Sequence, residues 1–186
     1  VTRFTIHELP LSGLKVVERQ NLADPRGFLS RMFCAEELAT AGWTAPICQI
    51  NLTRTIQKGT VRGMHYQHPP HAEMKLVNCL RGAVLDVAVD LRSGSPTFLH
   101  WHAEHLSADN RRSMLIPEGF AHGFQALTDD CELLYFHSAA HAHGSEGALS
   151  ALDPRLSIQW PLEITEMSER DRLHPRLTDQ FTGLIL

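Results

Sequence analysis

The run AVLDVAVDL, residues 83–91, alternates strictly. Leu85, Val87, Val89 and Leu91 fall on one face and Asp86, Ala88 and Asp90 on the other. Such alternation reads as a β-strand, because successive strand side chains point to opposite faces. Strand-length apolar runs broken by turn signals continue in both directions. Downstream come the turn RSGSP (92–96), FLHWHAEHL, the turn SADN (107–110), then RRSMLIP, PEGF, HGFQAL and CELLYFH. Upstream, FTIHEL and LKVVERQ flank a turn at Pro10–Gly13, and DPRG (24–27) suits type I turn geometry. CAEELATAG reads as a helix stopped at Gly42, and ICQINLTRT then resumes the β pattern. AAHAHGSEGALSALDP (139–154) reads as a surface loop, and LEITEMSERDRLHPRL as helical turns ended by Pro175. Strands at this spacing predict an all-β sandwich or barrel with a few short helices, whereas the βαβ signal of a Rossmann fold is absent. No linker or low-complexity segment interrupts the chain, so residues 1–186 read as one domain.

The 186 residues, 43% of them hydrophobic, suffice for one core. A formal charge of -4 gives no general attraction for nucleic acid or an anionic membrane, so neither is expected as a partner. Any anionic ligand must be held by local cations. Cys34, Cys48, Cys79 and Cys131 form no CxxC pair and read as buried free thiols, compatible with a reducing cytoplasm. The N-terminal VTRFTIHELP has no apolar signal, and no stretch approaches the roughly 18 apolar residues of a membrane span, so a cytoplasmic protein is expected.

The densest chemistry lies in KGTVRGMHYQ, residues 58–67. In an ideal strand Arg62 and His65 face opposite sides, but a bulge at Gly63 would bring both into one cavity. His65 can act as a general base near neutral pH and would need an orienting carboxylate, for which Asp171, Asp86 and Asp90 are the candidates. Lys75, between Met74 and Leu76, can stabilise an enolate oxygen or merely guard an edge strand. Tyr135 can deliver a proton or fill the core. PEGFAH (117–122) resembles the second cupin motif, PxGxxH, yet the first motif would have to come from His65, His68, His71 and Glu73, among which no HxH occurs. His100/His102 and His141/His143 have HxH spacing but lie outside the expected position, so no metal is expected.

Together KGTVRGMHYQ, KLVNCLRGAVLDVAVDLRSGSPTF (75–98), LIPEGFAHGF (115–124), ELLY (132–135) and SERD (168–171) closely resemble the dTDP-4-dehydrorhamnose 3,5-epimerase family, over about residues 5–175. The resemblance implies a metal-independent cupin jelly roll without cofactor, forming homodimers that exchange N-terminal strands. It implies inversion of C3, C5 or both in a nucleoside-diphosphate 4-keto-6-deoxyhexose, in deoxysugar biosynthesis of the rhamnose or antibiotic type. By the same resemblance His65 is the base, Asp171 its orienting carboxylate, Lys75 the enolate stabiliser and Tyr135 the acid. Arg62 matches a diphosphate-binding arginine, Gln49 and Asn51 a QxN pair lining the site, Arg26 a nucleotide-side arginine and His122 a cavity histidine. The chain departs from the family at Arg31, where an acidic residue is usual, and at FHSAAH (136–141), where K-T-T-D-Y-Y is usual. These departures suggest a specialised member acting on an unusual sugar or nucleotide. A single-site epimerase and a non-catalytic sugar-nucleotide-binding cupin are the alternatives.

Overall fold

The alternating runs fold as strands in the computed structural model, which describes residues 2–186; the expected domain start at residue 1 lies outside the described residues. In chain order the elements are β1 (Phe4–Glu8), β2 (Lys15–Arg19), β3 (Asn21–Asp24), β4 (Gly27–Ser30), α1 (Ala35–Ala39), β5 (Gln49–Thr55), β6 (Val61–Gln67) and β7 (Lys75–Arg81). They continue with β8 (Ala83–Asp90), β9 (Trp101–Ser107), β10 (Arg112–Ile116), β11 (Phe120–Ala126), β12 (Cys131–His137), β13 (Glu146–Ala148) and α2 (Glu169–Arg172). One sheet has the order β1-β2-β10-β7-β12-β5, the other β13-β6-β11-β8-β9, and β3-β4 form a separate hairpin. Every pairing between these strands is antiparallel. The two larger sheets make the cupin jelly roll.

Between the sheets lies a core that draws Val77, Met114 and Leu133 from one side and Val84, Ala88 and Phe124 from the other. The apolar face of β8 is not in this layer. Val87, Val89 and Leu91 pack outward, beneath Leu156, Met167, Leu177 and Leu184 of the C-terminal segment. The face that reads as polar is therefore the inner one, and Asp86 and Asp90 on it are fully buried. Burial on both faces makes β8 a central strand rather than the half-exposed one that alternation suggests. On the far side of the six-stranded sheet, α1 seats Leu38 with Trp43, Leu76 and Phe136. The helix ends at Ala39, short of the expected stop at Gly42. That residue has φ +103°, and the Gly42 and Trp43 N–H groups return to the carbonyls of Ala39 and Leu38.

Three local expectations need correction. Residues 139–154 are not simply a surface loop: Glu146–Ala148 add an edge strand to β6, and Leu149, Ser150, Ala151 and Asp153 are buried. The helical reading of the C-terminal segment shrinks to the four residues of α2. Its neighbours are irregular chain whose apolar side chains pack across β8 and β6. The cysteines are all free, but only Cys79 and Cys131 are buried; Cys48 is exposed and Cys34 intermediate. Burial pushes the Cys79 thiol up to about 12.

Among the described residues no helix is long and apolar enough to cross a membrane. The β3-β4 hairpin, closed by the Asp24–Gly27 turn, pairs with neither large sheet and is exposed over almost its whole length.

Candidate active site

The strand β6 enters the jelly roll with a break at its centre. Opposite it, His122 pairs with His65 and Phe124 with Arg62, so Gly63 and Met64 together face the single residue Gly123. This is a β-bulge, and it resets the alternation so that Arg62 and His65 line one cavity. Glycine is required there: Gly63 has φ +127°, and an added Cβ would lie 2.6 Å from the Gly123 Cα. The expected bulge is present, and it delivers the two side chains as the sequence pattern suggested.

The cavity measures about 260 Å³ and lies between the sheets. One wall, from β6 and β11, carries Arg62, His65, His122 and Phe124. The facing wall, from β5, β7 and β12, carries Asn51, Thr53, Lys75, Tyr135 and His137.

His65 Nε2 lies 2.9 Å from Asp171 Oδ1, which leaves Nδ1 for the cavity. Of the three carboxylates the residue pattern left open, Asp171 is thus the partner. Asp86 instead sits 2.7 Å from His122 Nε2, and Asp90 accepts from Arg92, Ser95 and Thr97. Asp171 is positioned by local chemistry. Ser168 caps α2 by accepting the Asp171 N–H at 3.0 Å, and the bulge returns the favour, Gly63 N–H donating to Asp171 Oδ2 at 3.1 Å. Burial works to raise the Asp171 carboxyl, but the hydrogen bond and charge of His65 and the Gly63 N–H outweigh it and hold the group below the usual range. An ionised Asp171 fixes the orientation of the His65 ring and stands within hydrogen-bond reach of it, the arrangement a general base needs.

On the facing wall Lys75 is buried at the start of β7, a central strand between β10 and β12, so it is no edge-guarding lysine. Its Nζ lies 3.2 Å from Glu73 Oε1. Tyr135 is buried, and desolvation, followed by the charge of Asp86, pushes its phenol well above the ordinary value, so it holds its proton at neutral pH. Asn51 reaches the cavity, whereas Gln49 stands at the rim, donating to Asn51 Oδ1 and accepting the His141 N–H. Arg62 stays exposed at the mouth, one N–H tied to the Arg54 carbonyl. Arg26 is not part of this constellation: it sits on the β3-β4 hairpin, exposed and paired with Asp24. Arg31, the departing residue, is paired with Glu37 of α1.

Two groups of three among the described residues could hold a metal ion: His65, Asp171 and His174, and His141, His143 and Glu146. The second contains one of the HxH pairs noted in the sequence, and its Glu146 is also engaged by Arg170. The other pair splits, with His102 bonded to Glu104.

A histidine with its carboxylate on one wall, facing a lysine and a protonated phenol on the other, is an arrangement able to move protons at carbon. Comparison with known proteins agrees. The family model described as dTDP-4-dehydrorhamnose 3,5-epimerase matches residues 8–179. The chain belongs to the dTDP-4-dehydrorhamnose 3,5-epimerase family.

Within that family the chain is 39% identical to a Streptomyces griseus protein named dTDP-4-dehydrorhamnose 3,5-epimerase, over 92% of this chain and 86% of that one. It is 36% identical to a Streptomyces niveus dTDP-4-dehydrorhamnose 3-epimerase, over 90% and 81%. The crystal structure of the Bacillus anthracis 3,5-epimerase with TDP and PPi bound superposes with a TM-score of 0.90 at 36% identity, covering 94% and 99% of the two chains.

Sequence reasoning missed three members of the site. Glu73 was noted only as a metal-motif residue, yet it bridges Lys75 and His137. His137 lies two positions beyond Tyr135 on β12, and the strand period alone places both on one face. His174 packs edge-on against His65 at 5.2 Å with neither ring nitrogen hydrogen-bonded. Burial, opposed by Asp171 and aided by the charge of His65, lowers its pKa. No periodic signal marks it, because it follows α2 in irregular chain.

Proposed function

We propose that this chain, as one domain over residues 1–186, inverts C3 and C5 of a nucleoside-diphosphate 4-keto-6-deoxyhexose in deoxysugar biosynthesis, in the cytoplasm and without a cofactor. The observation that carries the reading is the opposition of His65–Asp171 on one wall to Lys75 and Tyr135 on the other, across one small cavity. Inversion requires a proton to leave one face of a carbon and return to the opposite face, and groups on facing walls supply that geometry. His65 Nδ1 removes the proton beside the C4 carbonyl. The Lys75 ammonium, in a nearly dry site, stabilises the enolate oxygen, and Tyr135 returns a proton to C5 from the other side. His122, fixed by Asp86, borders the same sugar.

At about 260 Å³ the cavity is smaller than the ~300–1,000 Å³ of a whole-ligand pocket. It therefore takes the reacting sugar and leaves the nucleotide at the mouth, where Arg62 meets the diphosphate beside the Gln49–Asn51 pair. Arg26 completes the nucleotide side from a second subunit. The hairpin that bears it exposes Leu22, Phe28 and Leu29, and β5 beside the cavity exposes Ile50 and Leu52. An isolated two-stranded hairpin is marginal in water, and these apolar surfaces suit a homodimer that exchanges its N-terminal strands.

The test is proton NMR in D₂O with thymidine-, cytidine- and guanosine-linked 4-keto-6-deoxyhexoses. Deuterium appearing at C3 and C5 with inversion is the expected result, and the nucleotide that reacts fastest identifies the base. Exchange at one carbon alone makes the protein a single-site epimerase. Exchange with none of the three, by folded protein, sinks the enzymatic reading in favour of a binding module.

A further inference from the structure

We propose that His137, held by Glu73, is a second proton donor of the site, returning the proton to C3 as Tyr135 returns it to C5. The proposal rests on the epimerase reading above and extends it to a residue that stands where the family usually has threonine.

His137 follows Tyr135 by two positions on β12, and their rings lie side by side, centroids 5.9 Å apart and planes 18° from parallel. Both therefore face His65 from the opposite sheet, and both line the same cavity. The imidazole is anchored at one end only. Its Nδ1 lies 2.7 Å from Glu73 Oε2, while Nε2 has a single neighbour, the Asn51 amide nitrogen at 3.4 Å. The amide N–H can only donate, so this contact is to the neutral ring, and its length makes it weak enough for a substrate to displace.

The surrounding charges suit a donor. Glu73, Lys75 and Tyr135 face the ring from its own sheet, and Arg62, His65 and His122 face it across the cavity. The Glu73 carboxylate lies at hydrogen-bond distance from the ring and stands as its counter-charge beside the Lys75 and Arg62 cations. Burial works to raise Glu73, but the hydrogen bond from His137 and the charge of Lys75 keep it ionised, below the usual carboxylate range.

A double inversion needs a donor at each of two carbons flanking C4, both on the wall away from His65. In the proposed step the Nε2–H bond of the His137 imidazolium breaks and the enolate π pair forms the new C3–H bond. The C4 oxyanion becomes the carbonyl, and His137 is left neutral. Water at the mouth reprotonates it, and protonated His65 releases its proton to water, so no proton is gained or lost over the cycle.

The experiment records, separately for C3 and C5, deuterium uptake and inversion in D₂O. In His137→Gln, removal by His65 persists, so deuterium still enters C3, but with retention. Inversion at C3 falls roughly 10²-fold, as for loss of a positioned proton donor, while inversion at C5 changes only a few-fold. In Glu73→Gln, which unties Nδ1 of the ring, inversion at C3 falls by more than inversion at C5. Three results overturn the proposal and leave the epimerase reading standing: unchanged C3 inversion in His137→Gln, equal loss at both carbons, or wild-type exchange at C5 alone. Wild-type protein that exchanges at neither carbon overturns both.

Discussion

The cavity and the β3-β4 hairpin each carry residues expected to meet the ligand, and they could hardly be more different. Every cavity group proposed to transfer a proton is seated on a central strand or tied to one. His65 is held by Asp171, His122 by Asp86 and His137 by Glu73. The hairpin carries Arg26 in the turn between two four-residue strands that pair only with each other. On the proposed reading the difference teaches that a single chain holds the groups for the chemistry, while the grip on the nucleotide awaits a second subunit. Proton transfer tolerates little displacement, so its groups belong on rigid strands. Binding a mobile diphosphate or base tolerates a segment that settles against a second subunit.

The sharpest break in this contrast comes at the base. His65→Asn lowers kcat by roughly 10²–10⁴-fold with little change in KM or melting temperature, since it removes a positioned base and leaves the fold intact. Near-full turnover in that variant, measured by NMR, would show that the facing-wall mechanism is wrong. Gly63→Ala strikes the bulge itself. Its Cβ has nowhere to go but into the Gly123 backbone, at a φ that alanine rarely adopts. A loss of about 3 kcal/mol or more is expected, with a fall of roughly 6–12 °C in Tm and loss of activity. Thermal denaturation beside an activity assay checks it, and a wild-type Tm would mean the bulge is not strained by a side chain.

Next in size is the buried frame behind the cavity. Despite burial, the hydrogen bonds from Arg92, Ser95 and Thr97 hold Asp90 down at about 2, against an ordinary value of 3.8. A depressed carboxyl stabilises the fold above its unfolded pKa and loses that contribution as pH falls towards the folded one. Asp90→Asn is therefore expected to cost on the order of 2 kcal/mol at pH 7, a gap that closes as pH falls from about 4 towards 2. Urea unfolding at several pH values measures it, and a gap independent of pH would contradict the assignment.

The smallest effect is on the hairpin. Arg26→Ala raises KM roughly 10-fold with kcat nearly unchanged, because a charge-assisted contact remote from the reacting carbons contributes to uniform binding. If Arg26 serves the partner's site, mixing and reannealing His65→Asn with Arg26→Ala protein restores up to about a quarter of wild-type efficiency at low substrate, since half of random dimers carry one intact site. No recovery above the sum of the parents would place Arg26 in its own subunit's site or in none.

Much of this was legible in the chain. The alternation in residues 83–91 announced strands, Gly63 announced the bulge, and the bulge placed Arg62 beside His65. Capping logic found α1 but set its end at Gly42, three residues beyond Ala39. Where reading failed, it failed for want of neighbours. The alternation of β8 could not say which face was inner, since both faces are covered and only the C-terminal segment makes the apolar one an outer layer. Residues 139–154, small and polar, carry no strand pattern, and β6 offers them an open edge.

The sequence alone determined the strands, their breaks and the residue types able to move protons, because these follow from local periodicity and intrinsic side-chain chemistry. Which carboxylate serves which histidine was decided only in three dimensions. Asp171, Asp86 and Glu73 lie 106, 36 and 64 positions from their partners. No local rule spans such separations. They are closed by sheet register and by the packing of the C-terminal segment, which together set who stands within hydrogen-bond reach of whom.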